Sequence, residues 1–220
     1  MALTRFRTVA FDLDGTLADT APDLTAALNH ALGALGRPPV PAADVRHMVG
    51  HGARALLQKG LAATGDCTPA LVEAGFPIFL DHYEAHIADE SFPFPGLEAA
   101  LDALAADGVA LAVCTNKLEG LARRFLDAIG WSTRFASVVG GDTLPVRKPD
   151  PAPLMAAIAR AGGGPAAYVG DSITDTDTAR AAGIPCVAVR FGFSDRPVEA
   201  LGAHCIIDHY DELIPALAAL

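Results

Sequence analysis

Short apolar runs alternate along this chain with segments of helical periodicity, and the runs end at residues capable of chemistry. Residues 8–11 end at Asp12, 110–114 at Thr115-Asn116-Lys117, and 136–139 at Gly140-Gly141-Asp142. Further on, 167–169 end at Gly170-Asp171-Ser172 and 186–189 at Arg190. Helical patterns over 97–106, 118–129, 153–161 and 175–182 separate them, and 205–207 with 213–220 read as a last strand and a closing helix. Strands followed by helices of this length are βαβ units, which stack into a parallel sheet covered by helices. The predicted fold is therefore α/β. In open sheets of this kind, ligands bind beyond the carboxyl ends of the strands, where these side chains fall.

Residues 18–90 break the alternation. Leu24, Leu28, Leu32 and Leu35 recur at helical spacing, with Thr20 as a possible cap, Pro22 in the first turn and Gly36 past the end. Helical stretches follow at about 42–48, 53–62 and 69–86, the last expected to kink or break at Gly75 and Pro77. No convincing strand is legible there. The expected organisation is a core of 1–17 and 91–220 with a helical domain, 18–90, inserted after the first strand. Two crossings make a hinge, and the cleft between the parts is the expected binding site.

The segment Val9-Ala10-Phe11-Asp12-Leu13-Asp14-Gly15-Thr16-Leu17 carries the sharpest chemical signal. A strand alternates its side chains, so Asp12 and Asp14 share a face while the strand lasts. Two adjacent carboxylates repel unless a divalent cation or a shared proton compensates, which points to metal-assisted phosphoryl chemistry. The formal net charge of −10 argues against nucleic acid or an acidic membrane surface as partner. No apolar run approaches the ~18 residues of a membrane helix. The basic stretch from Met1 to Arg7 is not followed by a signal-type apolar segment. Cys67, Cys114, Cys186 and Cys205 are far apart, and Cys114 and Cys186 sit in apolar runs as small core residues. A cytoplasmic, reduced protein is expected.

Four motifs in order resemble the haloacid dehalogenase-like hydrolase superfamily: Asp12-Leu13-Asp14-Gly15-Thr16, Thr115 in Cys114-Thr115-Asn116, Lys148 in Arg147-Lys148-Pro149-Asp150-Pro151, and Gly170-Asp171-Ser172-Ile173-Thr174-Asp175. The resemblance covers nearly the whole chain and implies a Rossmann-like core with the insertion as a small helical cap. Phe92-Pro93-Phe94-Pro95-Gly96, Thr115-Asn116-Lys117, Gly140-Gly141-Asp142 and Val49-Gly50-His51-Gly52-Ala53 resemble its phosphoglycolate phosphatase group. What this implies is a Mg²⁺-dependent phosphomonoesterase acting on a small phosphorylated metabolite, as a monomer or homodimer.

Asp12 is then the candidate nucleophile, because a carboxylate needs no activating base and yields an aspartyl-phosphate that water can hydrolyse. The resemblance implies Mg²⁺ shared by Asp12, the backbone carbonyl of Asp14 and Asp171. Lys148 would hold Asp12 and the phosphate, and Thr115 with the backbone N–H groups of Leu13, Asp14 and Asn116 would donate to phosphate oxygens. Asp14 would protonate the leaving alkoxide, its acidity set by acidic neighbours. Asp175 would orient the metal site or Lys148. For a substrate carboxylate the candidates are His51 and Gly52 with the Gly50 backbone, Arg54 and Lys117. His82 and His86, at helical spacing, read as a surface face, and Gly162-Gly163-Gly164-Pro165 lacks the Lys-Ser/Thr of a nucleotide loop.

Other functions fit parts of the pattern. A sugar-phosphate mutase of the same superfamily uses the same core. A dehalogenase would give Asp14 no role. A receiver-type phosphoacceptor shares the acidic pocket, Thr and Lys, but places its phosphoacceptor after the acidic pair and lacks the insertion.

Overall fold

The computed structural model describes residues 3–194 and 196–220; Met1 and Ala2, part of the basic amino terminus, lie outside the described residues. The chain begins with β1 (Thr8–Phe11) and β2 (Ala18–Asp19). Four helices follow: α1 (Ala21–Ala34), α2 (Ala42–Arg46), α3 (Ala53–Thr64) and α4 (Pro69–Ala85). After β3 (Phe92–Pro93) come α5 (Leu97–Ala106), β4 (Ala110–Cys114), α6 (Glu119–Ala128), β5 (Ser137–Val139) and α7 (Ala152–Arg160). The chain closes with β6 (Ala166–Gly170), α8 (Ile173–Ala182), β7 (Cys186–Val189), β8 (Cys205–Ile207) and α9 (Leu213–Ala219).

Six strands form one parallel sheet in the order β5-β4-β1-β6-β7-β8. The α/β expectation is met. Strand β1 is buried along its whole length, as a central parallel strand with helices on both faces must be. Successive strands are laid down on one side of β1 as β4 and β5, then on the other as β6, β7 and β8, so the order reverses at β1. Register does the rest. Phe11 pairs with Val113 and with Val169, which brings Asp12 level with the ends of both neighbouring strands. Thr115 and Asp171 follow β4 and β6 immediately, so three candidate site residues emerge at one edge from positions far apart in sequence.

The insertion packs through its leucine face. Leu24, Leu28 and Leu32 of α1 join Leu56, Leu57 and Leu61 of α3 and Val72, Phe79 and Tyr83 of α4 in the same buried cluster that reaches the sheet. The structure bears on three expectations for this segment. The crossing contains short strands after all: β2 and β3 pair antiparallel, Ala18 opposite Pro93 and Asp19 opposite Phe92. The chain thus leaves and re-enters the core side by side. Thr20 occupies the N-cap position of α1 as expected, but its side chain makes no capping hydrogen bond; its hydroxyl donates to Asp14 Oδ1 at 2.7 Å. Helix α4 runs unbroken through Gly75 and Pro77. Pro77 is exposed, so the carbonyl its ring leaves without a partner lies on the side that water reaches. Among the described residues, no helix is long and apolar enough to cross a membrane. The four cysteines are free, with Cys114 and Cys186 buried as expected.

Candidate active site

Lys148 is the electrostatic hub beyond the sheet edge. It comes from the loop between β5 and α7, and its ammonium lies 2.9 Å from Asp12 Oδ1 and 2.6 Å from Asp175 Oδ1. It also donates to the Tyr168 hydroxyl at 2.9 Å. Its side chain is 1% exposed. A charge so buried is tolerable only when paired. Burial alone would lower its pKa; the charges of Asp12 and Asp175 overcome that and hold Lys148 protonated.

Asp175 is saturated by protein donors. Its Oδ1 accepts from Lys148 and from Tyr168, and its Oδ2 from the Ser172 hydroxyl and the backbone N–H groups of Asp171 and Ser172. Burial disfavours its charge, but Lys148 and the Ser172 and Tyr168 hydrogen bonds outweigh burial and keep its carboxyl below the ordinary range.

Asp12 is different. Lys148 stands 2.9 Å from its Oδ1, and among the described residues no other donor reaches that buried oxygen, so a lone pair stays open. Burial pushes the Asp12 carboxyl up to about 6; Lys148 pulls against this, while Asp175 and Asp14 add to it. Asp171 accepts from the Thr16 hydroxyl at 3.0 Å and from the Phe193 backbone N–H at 2.6 Å. Its pKa lies well above the ordinary value because of burial and then the charges of Asp175 and Asp12. Glycines admit it: a Cβ at Gly15 would lie 2.5 Å from Asp171 Oδ2, and one at Gly192 would lie 2.2 Å from Asp171 Cβ.

The carboxylates of Asp12, Asp171 and Asp175 can each bring one oxygen within 4.8 Å of the others. Asp175 has no lone pair left for a cation, whereas Asp12 keeps an open oxygen and both Asp12 and Asp171 carry the strain of unbalanced negative charge. The residues therefore fit a hard divalent cation held by Asp12 and Asp171, with Asp175 fixing Lys148 rather than ligating.

Asp14 sits elsewhere in the cleft. Its Oδ1 accepts from Lys117 Nζ at 2.8 Å and from the Thr20 hydroxyl. The charged side chain that touches it is a buried cation, Lys117. Lys117 also donates to the Tyr83 hydroxyl at 2.5 Å, so it is no solvated surface lysine. Burial would lower its pKa, and Asp14 and then Tyr83 raise it.

Asp12, Asp14, Thr115, Asn116, Lys117, Gly50, Gly52 and Tyr83 line one cleft, walled by Leu24, Val49, Ala53, Leu56 and Leu121. The Thr115 backbone is fixed on Val139, and its hydroxyl oxygen accepts from the Lys117 N–H. The Asn116 amide donates across the cleft to Gly50 and to Lys148, tying the insertion to the loop that carries the lysine. Gly52 comes so close to Asn116 that a Cβ would lie 2.9 Å from its carbonyl oxygen.

Not every sequence candidate joins this cleft. His51 lines a neighbouring one with His47, Lys59 and Phe193. Arg54 points to another face, paired with Glu73 and stacked 4.2 Å over the Phe76 ring. His82 stacks between His30 and His86, with ring centroids 4.3 and 4.6 Å apart, rather than converging on a metal. Sequence reading missed Thr16, Tyr83, Tyr168 and the Phe193 backbone. A signal existed for Tyr168: its hydroxyl interrupts an apolar central strand and so demands a buried partner.

A family model described as haloacid dehalogenase-like hydrolase matches residues 9–189. The chain is 48% identical over 220 residues to a phosphoglycolate phosphatase of Caulobacter vibrioides, covering 97% of this chain and 91% of that protein. It is 44% identical to one of Mesorhizobium japonicum, covering 96% and 94%. A crystal structure described as a predicted phosphoglycolate phosphatase of Haemophilus somnus superposes with a TM-score of 0.91 at 30% identity, covering 96% of this chain and 98% of that one.

Proposed function

The chain belongs to the haloacid dehalogenase-like hydrolases, and from that premise we propose a Mg²⁺-dependent hydrolysis of 2-phosphoglycolate through an aspartyl-phosphate on Asp12. The chain is a phosphatase by that kinship. The observation that carries the mechanism is the place of Asp12: it ends the central strand, lines the cleft, and has the Lys148 ammonium 2.9 Å from its Oδ1.

Asp12 attacks phosphorus and the bond from phosphorus to the ester oxygen breaks. Asp14 gives its carboxyl proton to the departing alkoxide. Water then attacks the acyl phosphate and loses a proton to Asp14, releasing phosphate and restoring both side chains. Lys148 and Thr115 hold the phosphate oxygens throughout, together with the Leu13, Asp14 and Asn116 backbone donors. Asp175 and Tyr168 keep the Lys148 ammonium in place. Mg²⁺, held by Asp12, the Asp14 carbonyl and Asp171, would neutralise the approach of one anion to another. The substrate reading draws on the names of the two relatives and on a cleft whose apolar wall suits a short carbon skeleton.

The test is phosphate release from a panel of small phosphomonoesters, 2-phosphoglycolate included, with Mg²⁺ or with EDTA, for the wild type and Asp12→Asn. Metal-dependent preference for 2-phosphoglycolate that vanishes in the variant is expected. Release that persists in Asp12→Asn would reject the nucleophile, and a stronger preference for another ester would reject the substrate.

A further inference from the structure

An ammonium carries three N–H donors. Lys117 gives one to Asp14 and one to the Tyr83 hydroxyl, and among the described residues no acceptor takes the third. The Tyr83 oxygen accepts from Lys117, so its own proton is left to donate; burial raises this phenol to about 12 and it stays protonated. Both residues line the cleft, and Lys117 is the one Lys or Arg among its described lining residues. Two groups with a donor to spare, 2.5 Å apart at their heavy atoms, therefore lie in the lining of a cleft whose wall is largely apolar and whose other charged groups, Asp12 and Asp14, are acidic. A carboxylate, with two planar oxygens, is the anion that takes one donor on each.

Position narrows the substrate further. Asp14 must reach the ester oxygen to protonate it, and Lys117 touches Asp14 at 2.8 Å. In 2-phosphoglycolate a single carbon separates the ester oxygen from the carboxylate, so the donor beside Asp14 also lies beside that carboxylate. We propose that Tyr83, carried by α4 of the helical insertion, joins Lys117 of the core in a seat for the substrate carboxylate, which makes Tyr83 a specificity-determining residue. The seat rests on 2-phosphoglycolate being the substrate. It selects two-carbon acids, because a longer chain would carry its carboxylate past the pair.

The experiment compares kcat and KM for 2-phosphoglycolate and for ethyl phosphate, which replaces the carboxylate by a methyl group, in the wild type and Tyr83→Phe. The variant should raise KM for 2-phosphoglycolate about tenfold, the worth of a hydrogen bond to a charged group, with much smaller changes in kcat and in the ethyl phosphate KM. Equal changes for the two esters, or none, would overturn the seat. A wild type that does not discriminate between the esters overturns the substrate reading itself, and the seat with it, before any variant is compared. Should circular dichroism show Tyr83→Phe unfolded, Lys117→Gln takes its place: the ratio of kcat/KM between the esters should collapse, and a ratio kept at the wild-type value would overturn the seat.

Discussion

Replacing Asp12 by Asn should stabilise the metal-free protein at neutral pH. In the fold, burial lifts this carboxyl from 3.8 to about 6 despite the nearby Lys148. That difference is worth about 3 kcal/mol, because each factor of ten in acidity is about 1.4 kcal/mol. The folded pKa exceeds the unfolded one, so the contribution is intact below the unfolded value and is lost as pH rises from 3.8 to about 6. Asparagine has no charge to bury and lacks this decline, and Lys148 retains Asp175 as its counter-ion at 2.6 Å. Calorimetric unfolding in EDTA at pH 4 and pH 7 measures the effect. About 0.5 kcal/mol of this is already lost at pH 4, and for a chain of this size about 2–4 °C accompanies each kcal/mol, so the variant should gain about 5–10 °C on the wild type between the two pH values. Mg²⁺ added at pH 7 should restore the wild type and leave the variant nearly unmoved. A variant-minus-wild-type difference equal at both pH values would refute the argument, as would one that falls on going to pH 7.

Other substitutions probe the surrounding structure. Lys148→Met leaves Asp12 and Asp175 buried without their cation, and denaturant titration should show a loss of about 3–5 kcal/mol together with loss of phosphate release; a wild-type midpoint would contradict this. Gly192→Ala places a methyl 2.2 Å from Asp171 Cβ, so the Mg²⁺ concentration for half-maximal activity should rise about tenfold or more. An unchanged Mg²⁺ requirement would mean that the Phe193 loop gives way at little cost. Arg54→Ala should leave the 2-phosphoglycolate KM within about twofold, since the guanidinium is engaged with Glu73 and Phe76; a tenfold rise would place it in the cleft after all.

The strands and the residues that follow them were legible because a central parallel strand must be apolar throughout, and its end must then change character abruptly. Asp12, Thr115 and Asp171 are visible for that reason. Lys148 follows a loop, and only its place in the order of motifs marked it. Tyr83 and Lys117 show where reading along the chain stops. Tyr83 sits among helical core residues, and its partner lies 34 positions later in another element. Nothing local distinguishes a tyrosine that packs from one that also donates across a cleft. Thr20 shows the converse: it stands at the N-cap of α1 as its position suggests, but its hydroxyl is turned to donate to the Asp14 carboxylate that the fold brings close, and it accepts no helix N–H.

The most direct test of the account is to trap the covalent intermediate. Wild-type protein turning over 2-phosphoglycolate with Mg²⁺ would be quenched with borohydride, which reduces an acyl phosphate to an alcohol, and the peptide carrying Asp12 and Asp14 analysed by mass spectrometry. The account requires reduction at Asp12 alone, dependent on substrate. Reduction at Asp14, or sustained turnover with Asp12 never modified, would contradict it.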